Sequence, residues 1–162
     1  MLSTTSQYAI RALCQLARQS GDAVLGRDLA RSVEIPANYL SKVLLTLRNA
    51  GLVETARGTA GGYRLRKPAC EIYLIDVVEL FERISATKPS CFLGHTRVCS
   101  ATTPCTAHSR WQGVLGAYLG FLKSTSLSGI SGEPGDYWTS SNTGTLLADN
   151  HEESMNTGGP KR

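Results

Sequence analysis

Three cysteines in the second half of the chain have the residue type and the spacing to do chemistry. Cys91, Cys99 and Cys105 lie in one short segment, and His108 follows directly after it. Thiolate and imidazole side chains are the ligands that zinc and iron–sulfur clusters prefer in proteins. The chain contains five cysteines in all, an odd number, which favours metal or redox chemistry over a framework of disulfides. This segment is therefore predicted to be a metal-binding site.

The intervals between the cysteines help to choose among the possible groups. Structural zinc is usually held by short Cys-x-x-Cys knuckles, in which the metal sits in a tight turn. Here seven residues separate Cys91 from Cys99 and five separate Cys99 from Cys105, so no such knuckle is present. Longer loops can enclose a larger group, and an iron–sulfur cluster is held by thiolates with an imidazole as an occasional substitute. The first prediction is therefore an iron–sulfur cluster of the [2Fe–2S] or [4Fe–4S] type, with zinc or a bare thiol switch as alternatives.

His108 is the residue best placed to act as a fourth ligand. It lies one helical turn beyond Cys105, so both side chains would project from the same face of a helix. The alternative is that His108 only caps the start of this helix. The other two cysteines are not predicted to be ligands. Cys14 lies on an apolar helical stripe and is predicted to be a buried core thiol, and Cys70 stands apart from the cluster and is interpreted as structural or incidental.

The positive charge of the chain is concentrated in its N-terminal part. Residues 1–70 contain ten Lys and Arg against four Asp and Glu, a net charge of +6, whereas residues 71–162 contain seven against nine, a net charge of −2. A basic segment of this kind suits a polyanion such as DNA, although a solvated basic face without a partner is also common. The N-terminal part is therefore a candidate for binding nucleic acid.

The helix pattern of the N-terminal part agrees with that interpretation. Apolar residues at helical spacing predict a first helix over residues 4–19, a short second helix over 27–33 and a longer third helix that ends at Ala50-Gly51. Pro36 separates the second helix from the third, because proline disfavours helical geometry at the residue before it. Two helices joined by so short a turn are typical of a helix-turn-helix.

A β-hairpin is predicted directly after the third helix. Residues 52–55 and 63–66 have strand-like patterns, and a glycine-rich tip joins them. A hairpin in this position is a wing that can reach into the minor groove of DNA. The third helix is predicted to bury a stripe of Tyr39, Leu40, Val43, Leu44 and Leu47. The residues predicted to contact DNA are Asn38, Ser41, Lys42 and Arg48 on the opposite face, together with Arg57 and Thr59 on the wing.

The C-terminal half is predicted to form a dimer. An amphipathic helix over residues 73–86 precedes the cysteine segment, and a last long helix covers residues 106–124. The wide apolar band on this last helix needs a partner surface, which a second copy of the chain would supply. Its predicted dimer-interface residues are Trp111, Leu115, Tyr118 and Leu122. The predicted organisation is a winged helix-turn-helix head at 1–70, the cluster loop and dimerisation helices at 71–125, and a disordered tail at 126–162.

Other classes of protein are less well supported by the sequence. No constellation of acid–base residues and no second cofactor site stands out, so an enzyme is not predicted. An iron–sulfur redox protein whose basic half is incidental is the rival from another class. The N-terminus lacks the features of a signal peptide, and no stretch approaches the roughly 18 apolar residues of a membrane span. The chain is therefore expected to be a cytoplasmic protein with no membrane contact.

Several short motifs together resemble a known family. They are Leu2-Ser3, Tyr8-Ala9-Ile10-Arg11-Ala12-Leu13, Leu29-Ala30, Ile35-Pro36, Tyr39-Leu40, Leu47-Arg48, Ala50-Gly51-Leu52-Val53 and Arg57-Gly58-x-x-Gly61-Gly62-Tyr63-x-Leu65. With the cysteine trio, they make residues 2–125 similar to the Rrf-type winged-helix transcriptional regulators, the family that contains the IscR, NsrR and RirA groups. The resemblance implies a mainly α fold with a small β-hairpin wing and a long C-terminal dimerisation helix. It also implies a homodimer that binds a pseudo-palindromic operator in double-stranded DNA.

The resemblance further implies a sensor of the iron–sulfur type, with a repressor as the expected form of regulator. Cys91, Cys99 and Cys105 would be the cluster ligands. The run from Cys105 to His108 is similar to the third-cysteine-plus-histidine arrangement of the IscR group. Gln7 occupies the place of an aspartate that the NsrR group can recruit, and an uncharged amide cannot replace that anionic ligand. The unequal cysteine spacing looks more like RirA and some NsrR relatives, so the implied signal is nitric oxide, iron supply, cluster supply or an oxidant.

Overall fold

The computed structural model describes residues 2–19, 21–56, 61–84, 91–94 and 99–132. Within them the helices are α1 (Thr4–Arg18), α2 (Gly26–Ser32), α3 (Ala37–Asn49), α4 (Leu74–Glu82) and α5 (His108–Ser124), and the strands are β1 (Val53–Ala56) and β2 (Gly62–Leu65). Short 3₁₀ helices lie at Ala69–Glu71 and Leu127–Gly129. This order of elements confirms the predicted fold class, a mainly α chain with a small β-hairpin after the third helix.

The first three helices share one apolar core. Ser3 caps α1, since its Oγ accepts a hydrogen bond from the Ser6 N–H at 3.2 Å. The three helices then meet in a buried cluster that includes Ala9, Leu13, Leu16, Leu29, Leu40, Val43, Leu44 and Leu47. Because α3 is anchored on α1 and α2 by its apolar face, its opposite face is held toward solvent. The packing of the head thus exposes one polar face of α3 to solvent.

Tyr39 departs from the predicted buried stripe of α3. Its side chain is 38% exposed, so the prediction that it belongs to the core is wrong. The ring packs edge-on against Tyr8, with centroids 5.5 Å apart, and the hydroxyl lies 2.6 Å from Thr5 Oγ1. This aromatic pair holds Tyr39 at the surface and joins the first turn of α3 to α1.

The end of α3 follows the predicted glycine signal. Gly51 has a φ of +74°, a left-handed conformation that favours glycine. The Leu52 N–H donates to the Leu47 carbonyl at 3.0 Å, and the Gly51 N–H donates to the Arg48 carbonyl at 2.9 Å. These two bonds form a Schellman motif, which ends the helix and turns the chain into the hairpin.

The wing is a two-stranded antiparallel hairpin. Its register runs from Val53 opposite Leu65 to Ala56 opposite Gly62. Compared with the predicted spans, β1 lies one residue later and β2 one residue earlier along the chain. The backbone of Tyr63 forms two hydrogen bonds with Val24, of 2.8 and 2.9 Å. The predicted wing contacts Arg57 and Thr59 lie outside the described residues.

Gly62 allows this wing to approach the segment before α2. A Cβ at this position would lie under 3.0 Å from the Val24 carbonyl group and the Leu25 nitrogen, which are backbone atoms and cannot rotate away. We expect Gly62→Ala to lower the free energy of unfolding by about 3 kcal/mol, measured by chemical denaturation. Gly113→Ala is the matched control, because nothing lies within 4 Å of its added Cβ. Equal stability of both variants would contradict the close approach.

The helices α4 and α5 pack against each other. Leu74 and Val78 of α4 and Leu122 of α5 form a small buried cluster. The predicted end of α4 at residue 86 is wrong, since Arg83 adopts a left-handed conformation with a φ of +48° and ends the helix at Glu82. Among the helices described, none has the length and apolar character needed to cross a membrane.

The segment after α5 is more ordered than predicted. Leu127 has no exposed surface and belongs to the core of the head, and its N–H donates to the Ile72 carbonyl at 2.7 Å. Arg18 Nε donates to the Ser131 carbonyl at 2.8 Å. The predicted start of the tail at residue 126 is therefore too early. The remaining residues of that predicted tail, 133–162, lie outside the described residues.

Candidate metal centre and DNA-binding surface

The three clustered cysteines converge in space. The sulfur atoms of Cys91, Cys99 and Cys105 all lie within 4.8 Å of one another. Cys91 and Cys105 come closest in sequence to α4 and α5, and their Sγ atoms are 3.6 Å apart. Each of the three side chains is half-buried, and none of the five cysteines, all within the described ranges, forms a disulfide. The trio therefore offers three sulfur donors around one point.

His108 lies beside this trio at the first residue of α5. Its Nδ1 atom is 3.1 Å from Cys99 Sγ, so the imidazole and a thiol are in direct contact. The Cys105 carbonyl accepts a hydrogen bond from the His108 N–H at 3.0 Å, and this bond forms the turn that starts α5. The turn brings His108 close to the cysteines. His108 is thus adjacent to the sulfur atoms, as its spacing from Cys105 predicts.

The thiols influence one another electrostatically. A backbone hydrogen bond from Cys105 lowers the pKa of the Cys99 thiol, but burial and the neighbouring Cys105 and Cys91 side chains together raise it above its ordinary value. Burial disfavours the charged thiolate, the hydrogen bonds with the two neighbouring thiols favour the protonated form, and a charge on Cys105 adds repulsion. A cation between them would remove this repulsion and favour the thiolate forms, because metal ligands must be deprotonated.

An aromatic wall lies next to the cysteines. The rings of Phe92 and Trp111 pack with centroids 5.3 Å apart, which joins the residue after Cys91 to the first turns of α5. They border an open cleft of about 460 Å³ lined by Phe92, Thr106, Ala107, Arg110, Trp111 and Val114. The sequence analysis did not identify Phe92, although its position directly after Cys91 could have indicated an aromatic residue beside the cysteines.

The two remaining cysteines have different surroundings. Cys14 packs against the core of the head, and burial raises the pKa of its thiol to about 11, while the nearby Arg18 guanidinium lowers it by less. Its Sγ donates to the Ile130 carbonyl at 3.9 Å. Cys70 is exposed on the 3₁₀ helix Ala69–Glu71. These positions agree with the prediction that neither cysteine belongs to the cluster.

The buried thiol leads to a prediction about alkylation. At pH 8 a thiol with a pKa of about 11 is ionised in about one molecule in a thousand, and the thiolate is the reactive form. We expect iodoacetamide to modify Cys14 on the order of 100-fold more slowly than the exposed Cys70, as read by peptide mass spectrometry. The difference should vanish in denaturant, and similar rates in the folded chain would contradict the burial of Cys14.

The outward face of α3 carries the predicted DNA contacts. Asn38, Ser41, Lys42 and Arg48 are all exposed. Ser41 Oγ donates to the Ala37 carbonyl at 2.8 Å, and Asn38 Oδ1 accepts from the Tyr39 N–H at 2.9 Å, so both short side chains are oriented by the helix itself. The exposed Tyr39 hydroxyl beside Thr5 adds a polar group that the sequence analysis had assigned to the core. Its T-shaped contact with Tyr8 could not be read from helical spacing alone.

The predicted dimer face of α5 is only partly available. Leu122 has no exposed surface and packs against Leu74 and Val78, so it belongs to the core of the chain rather than to an interface. Trp111, Leu115 and Tyr118 are half-buried. Val114 and Phe121 belong to the predicted apolar band of this helix but not to the four predicted interface residues, and they are 57% and 52% exposed. The helix therefore buries one apolar edge internally and leaves a second one at the surface.

Known proteins are similar to this chain in both sequence and fold. The Rrf2 family profile, described as "Iron-dependent Transcriptional regulator", matches residues 2–133. The protein named "Putative HTH-type transcriptional regulator Rv1287" of Mycobacterium tuberculosis is 33% identical over 132 residues, covering 81% of this chain and 81% of that protein. The HTH-type transcriptional regulator IscR of Cereibacter sphaeroides is 31% identical over 132 residues, covering 80% of this chain and 85% of that protein. The solved structure of CymR, the global cysteine regulator of B. subtilis, has a TM-score of 0.68 at 23% identity and covers 81% of this chain and 95% of that chain.

The matched span includes the head, the cysteine segment and α5. It confirms the family resemblance carried by the sequence motifs, and members of this family are DNA-binding regulators rather than enzymes. The chain belongs to the Rrf2 family of transcriptional regulators.

Proposed function

We propose that this Rrf2-family regulator holds an iron–sulfur cluster on Cys91, Cys99 and Cys105, and that the state of the cluster sets its affinity for DNA. The observation that carries the proposal is the convergence of three sulfur atoms within 4.8 Å of one another. Cysteine thiolates are the ordinary protein ligands of such clusters. The description of the family as an iron-dependent transcriptional regulator and the similarity to IscR of Cereibacter sphaeroides support the same assignment.

The residues around the trio fit a cluster in two further respects. His108 Nδ1, at 3.1 Å from Cys99 Sγ, is an additional donor on the same side of the loop. The three cysteine residues are half-buried, so a cluster on them would be accessible to small molecules such as oxygen or nitric oxide. When bound, a [2Fe–2S] or [4Fe–4S] cluster would react with oxidants or nitric oxide, and its assembly would depend on the supply of iron.

The chain's own residues would carry a change at the trio toward the head. Cys91 follows α4 and Cys105 precedes α5 along the chain, so a group bound to both sulfurs would link the segments next to these two helices. Glu82, the last residue of α4, accepts a hydrogen bond from the Ser3 N–H at 2.7 Å. Although burial raises the pKa of the Glu82 carboxyl, hydrogen bonds from Ser6 and Ser3 lower it below its ordinary value. The carboxylate thus remains charged and holds the start of α1.

The other end of this connection is the recognition helix. Thr5, two residues after Ser3, contacts the Tyr39 hydroxyl on the first turn of α3 at 2.6 Å. A displacement of α4 would therefore reach α3 through α1. A coupling free energy of about 1–3 kcal/mol between the cluster and the head would change the DNA affinity roughly 5- to 150-fold.

A homodimer on a pseudo-palindromic operator is the second part of the proposal. The exposed apolar edge of α5, with Val114 and Phe121 beside Trp111, Leu115 and Tyr118, would pair with the same edge of a second copy. Two heads held about 34–36 Å apart would reach successive major grooves. Each head would present Asn38, Ser41, Lys42 and Arg48 to the major groove and the wing residues Arg57 and Thr59 to the minor groove, and the regulator would act as a repressor.

Metal analysis tests the first part of the proposal. The full chain is purified without oxygen, and its visible spectrum, iron and acid-labile sulfide are measured. We expect iron and sulfide in equal amounts, with bleaching by nitric oxide or air. The same three sulfurs with His108 are also a donor set for tetrahedral zinc. A colourless chain with one zinc, or a chain that takes up no iron on reconstitution, would overturn the cluster and leave the DNA-binding head unaffected.

Binding measurements test the second part. Operator fragments are selected from genomic DNA and measured by fluorescence anisotropy before and after bleaching, while light scattering gives the mass of the chain in solution. We expect two copies on an inverted repeat and an affinity that changes on bleaching. A monomer on an asymmetric site, or an affinity that is the same before and after bleaching, would contradict the proposal.

A further inference from the structure

The cysteine trio has a second chemistry when the chain holds no metal. The sulfur atoms of Cys91 and Cys105 are 3.6 Å apart, close enough for thiol–thiol contact. A disulfide requires about 2.05 Å between the sulfurs, so a decrease of about 1.5 Å would join them. Both residues lie outside the helices and strands, and rotation of two side chains with a small loop shift supplies a movement of that size.

Cys99 differs from the other two members of the trio. Its sulfur contacts Nδ1 of His108 at 3.1 Å, and His108 is fixed by the first turn of α5. The Cys99 thiol also interacts with the side chains of Cys105 and Cys91, but the sulfur atoms in contact at 3.6 Å are those of Cys91 and Cys105. The geometry therefore favours Cys91 and Cys105 as the pair to be joined, and Cys99 is the thiol that also contacts an imidazole.

We propose that Cys91 and Cys105 form a reversible disulfide when the metal-free chain meets a peroxide, and that Cys99 remains a thiol. In the first step one sulfur attacks the peroxide, an S–O bond forms, the O–O bond breaks and one water leaves. In the second step the other sulfur attacks the resulting sulfenic acid, an S–S bond forms and a second water leaves. In balance, two thiols and one hydrogen peroxide give one disulfide and two waters.

This disulfide would compete with metal binding. It consumes two of the three sulfur donors, so the oxidised chain cannot take up metal until a dithiol reductant restores the thiols. The inference concerns the metal-free chain and does not depend on which metal group the thiols hold. An oxidant would thus act on the regulator even where no cluster has been assembled.

Peptide mapping tests the pairing. The full chain with Cys14→Ser and Cys70→Ser, which leave the trio intact, is stripped of metal under reducing conditions, treated with hydrogen peroxide, alkylated and digested. We expect two thiols of the trio to disappear, a linked pair of peptides containing Cys91 and Cys105, alkylated Cys99, and full reversal by dithiothreitol. Iron uptake by the oxidised chain should fall about tenfold or more and recover on reduction.

Two variants keep the test decisive. Adding Cys99→Ser should leave the linked peptides in place, whereas adding Cys105→Ser should remove them and leave oxidised Cys91 unlinked. A linkage that contains Cys99, a linkage between two chains, or sulfinic acids without any linkage would overturn the proposal. Iron uptake by the reduced chain is recorded separately, so failure of the cluster assignment and failure of the disulfide give different results.

Discussion

Replacing Cys105 by alanine is expected to remove nearly all bound iron and to abolish the response of DNA affinity to nitric oxide or air. The variant retains only two of the three sulfurs that lie within 4.8 Å of one another, and two thiolates hold a cluster poorly. The helical fold should survive, because the half-buried Cys105 side chain lies outside every helix. Iron and sulfide per chain, circular dichroism and operator binding by anisotropy measure these three effects.

Cys70→Ala provides the matched control for this variant. It changes the same chemical group, but Cys70 is exposed on the 3₁₀ helix Ala69–Glu71 and lies outside the trio. We expect its iron content and its response to nitric oxide to equal those of the unchanged chain. If Cys105→Ala keeps full iron, or if Cys91→Ala, Cys99→Ala and Cys105→Ala all respond to nitric oxide as the unchanged chain does, the sensing function is wrong.

The head of the fold could be predicted because its apolar spacing and its breakers agree. Pro36 separates α2 from α3, and Gly51 ends α3 in the left-handed conformation that glycine accepts. Such signals are local, since the residue type alone determines the allowed backbone angles. The one error in the α3 stripe, Tyr39, depends on Tyr8 and Thr5, which are distant in sequence.

The C-terminal part could be predicted less well because its contacts are long-range. Arg83 ends α4 in a left-handed conformation, although no glycine or proline marks that position. Leu122 has the same helical spacing as a dimer-interface residue, yet it packs against α4 of its own chain. Leu127 lies in a serine-rich segment without a helical apolar pattern, and it is nonetheless buried in the core of the head. Periodicity indicates that a side chain is buried, but it does not indicate against which element.

The candidate metal site could be predicted from the sequence in part. Spacing in the sequence placed the cysteines in one loop, and the structure adds that all three sulfurs converge on one point. The contact between His108 and Cys99 could be anticipated only in part, because helical spacing relates His108 to Cys105. The 3.6 Å contact between the sulfur atoms of Cys91 and Cys105 could not be anticipated, since spacing along the chain does not give distances in space.

The second large effect is expected for variants on α3, the helix that we propose reads the DNA sequence. We expect Asn38→Ala to weaken operator binding roughly 5- to 150-fold and to relax the base preference at one position of each half-site, because a side-chain amide can pair with a base edge. Asn38 is exposed on the first turn of α3, and the helix itself orients its Oδ1 toward the Tyr39 N–H. Anisotropy with the operator and with single-base variants measures both effects.

Lys42→Ala on the same face should behave differently. A lysine that neutralises a phosphate contributes equally to every sequence, so the variant should weaken specific and non-specific DNA binding alike. It should also lower the salt dependence of binding by about 0.9 for each phosphate that is no longer neutralised. Lys123→Ala removes the same charge at an exposed position in the last turn of α5, outside the proposed surface, and should leave both quantities unchanged. If Lys123→Ala and Lys42→Ala reduce affinity equally, the effect comes from net charge and α3 is not the element that reads DNA.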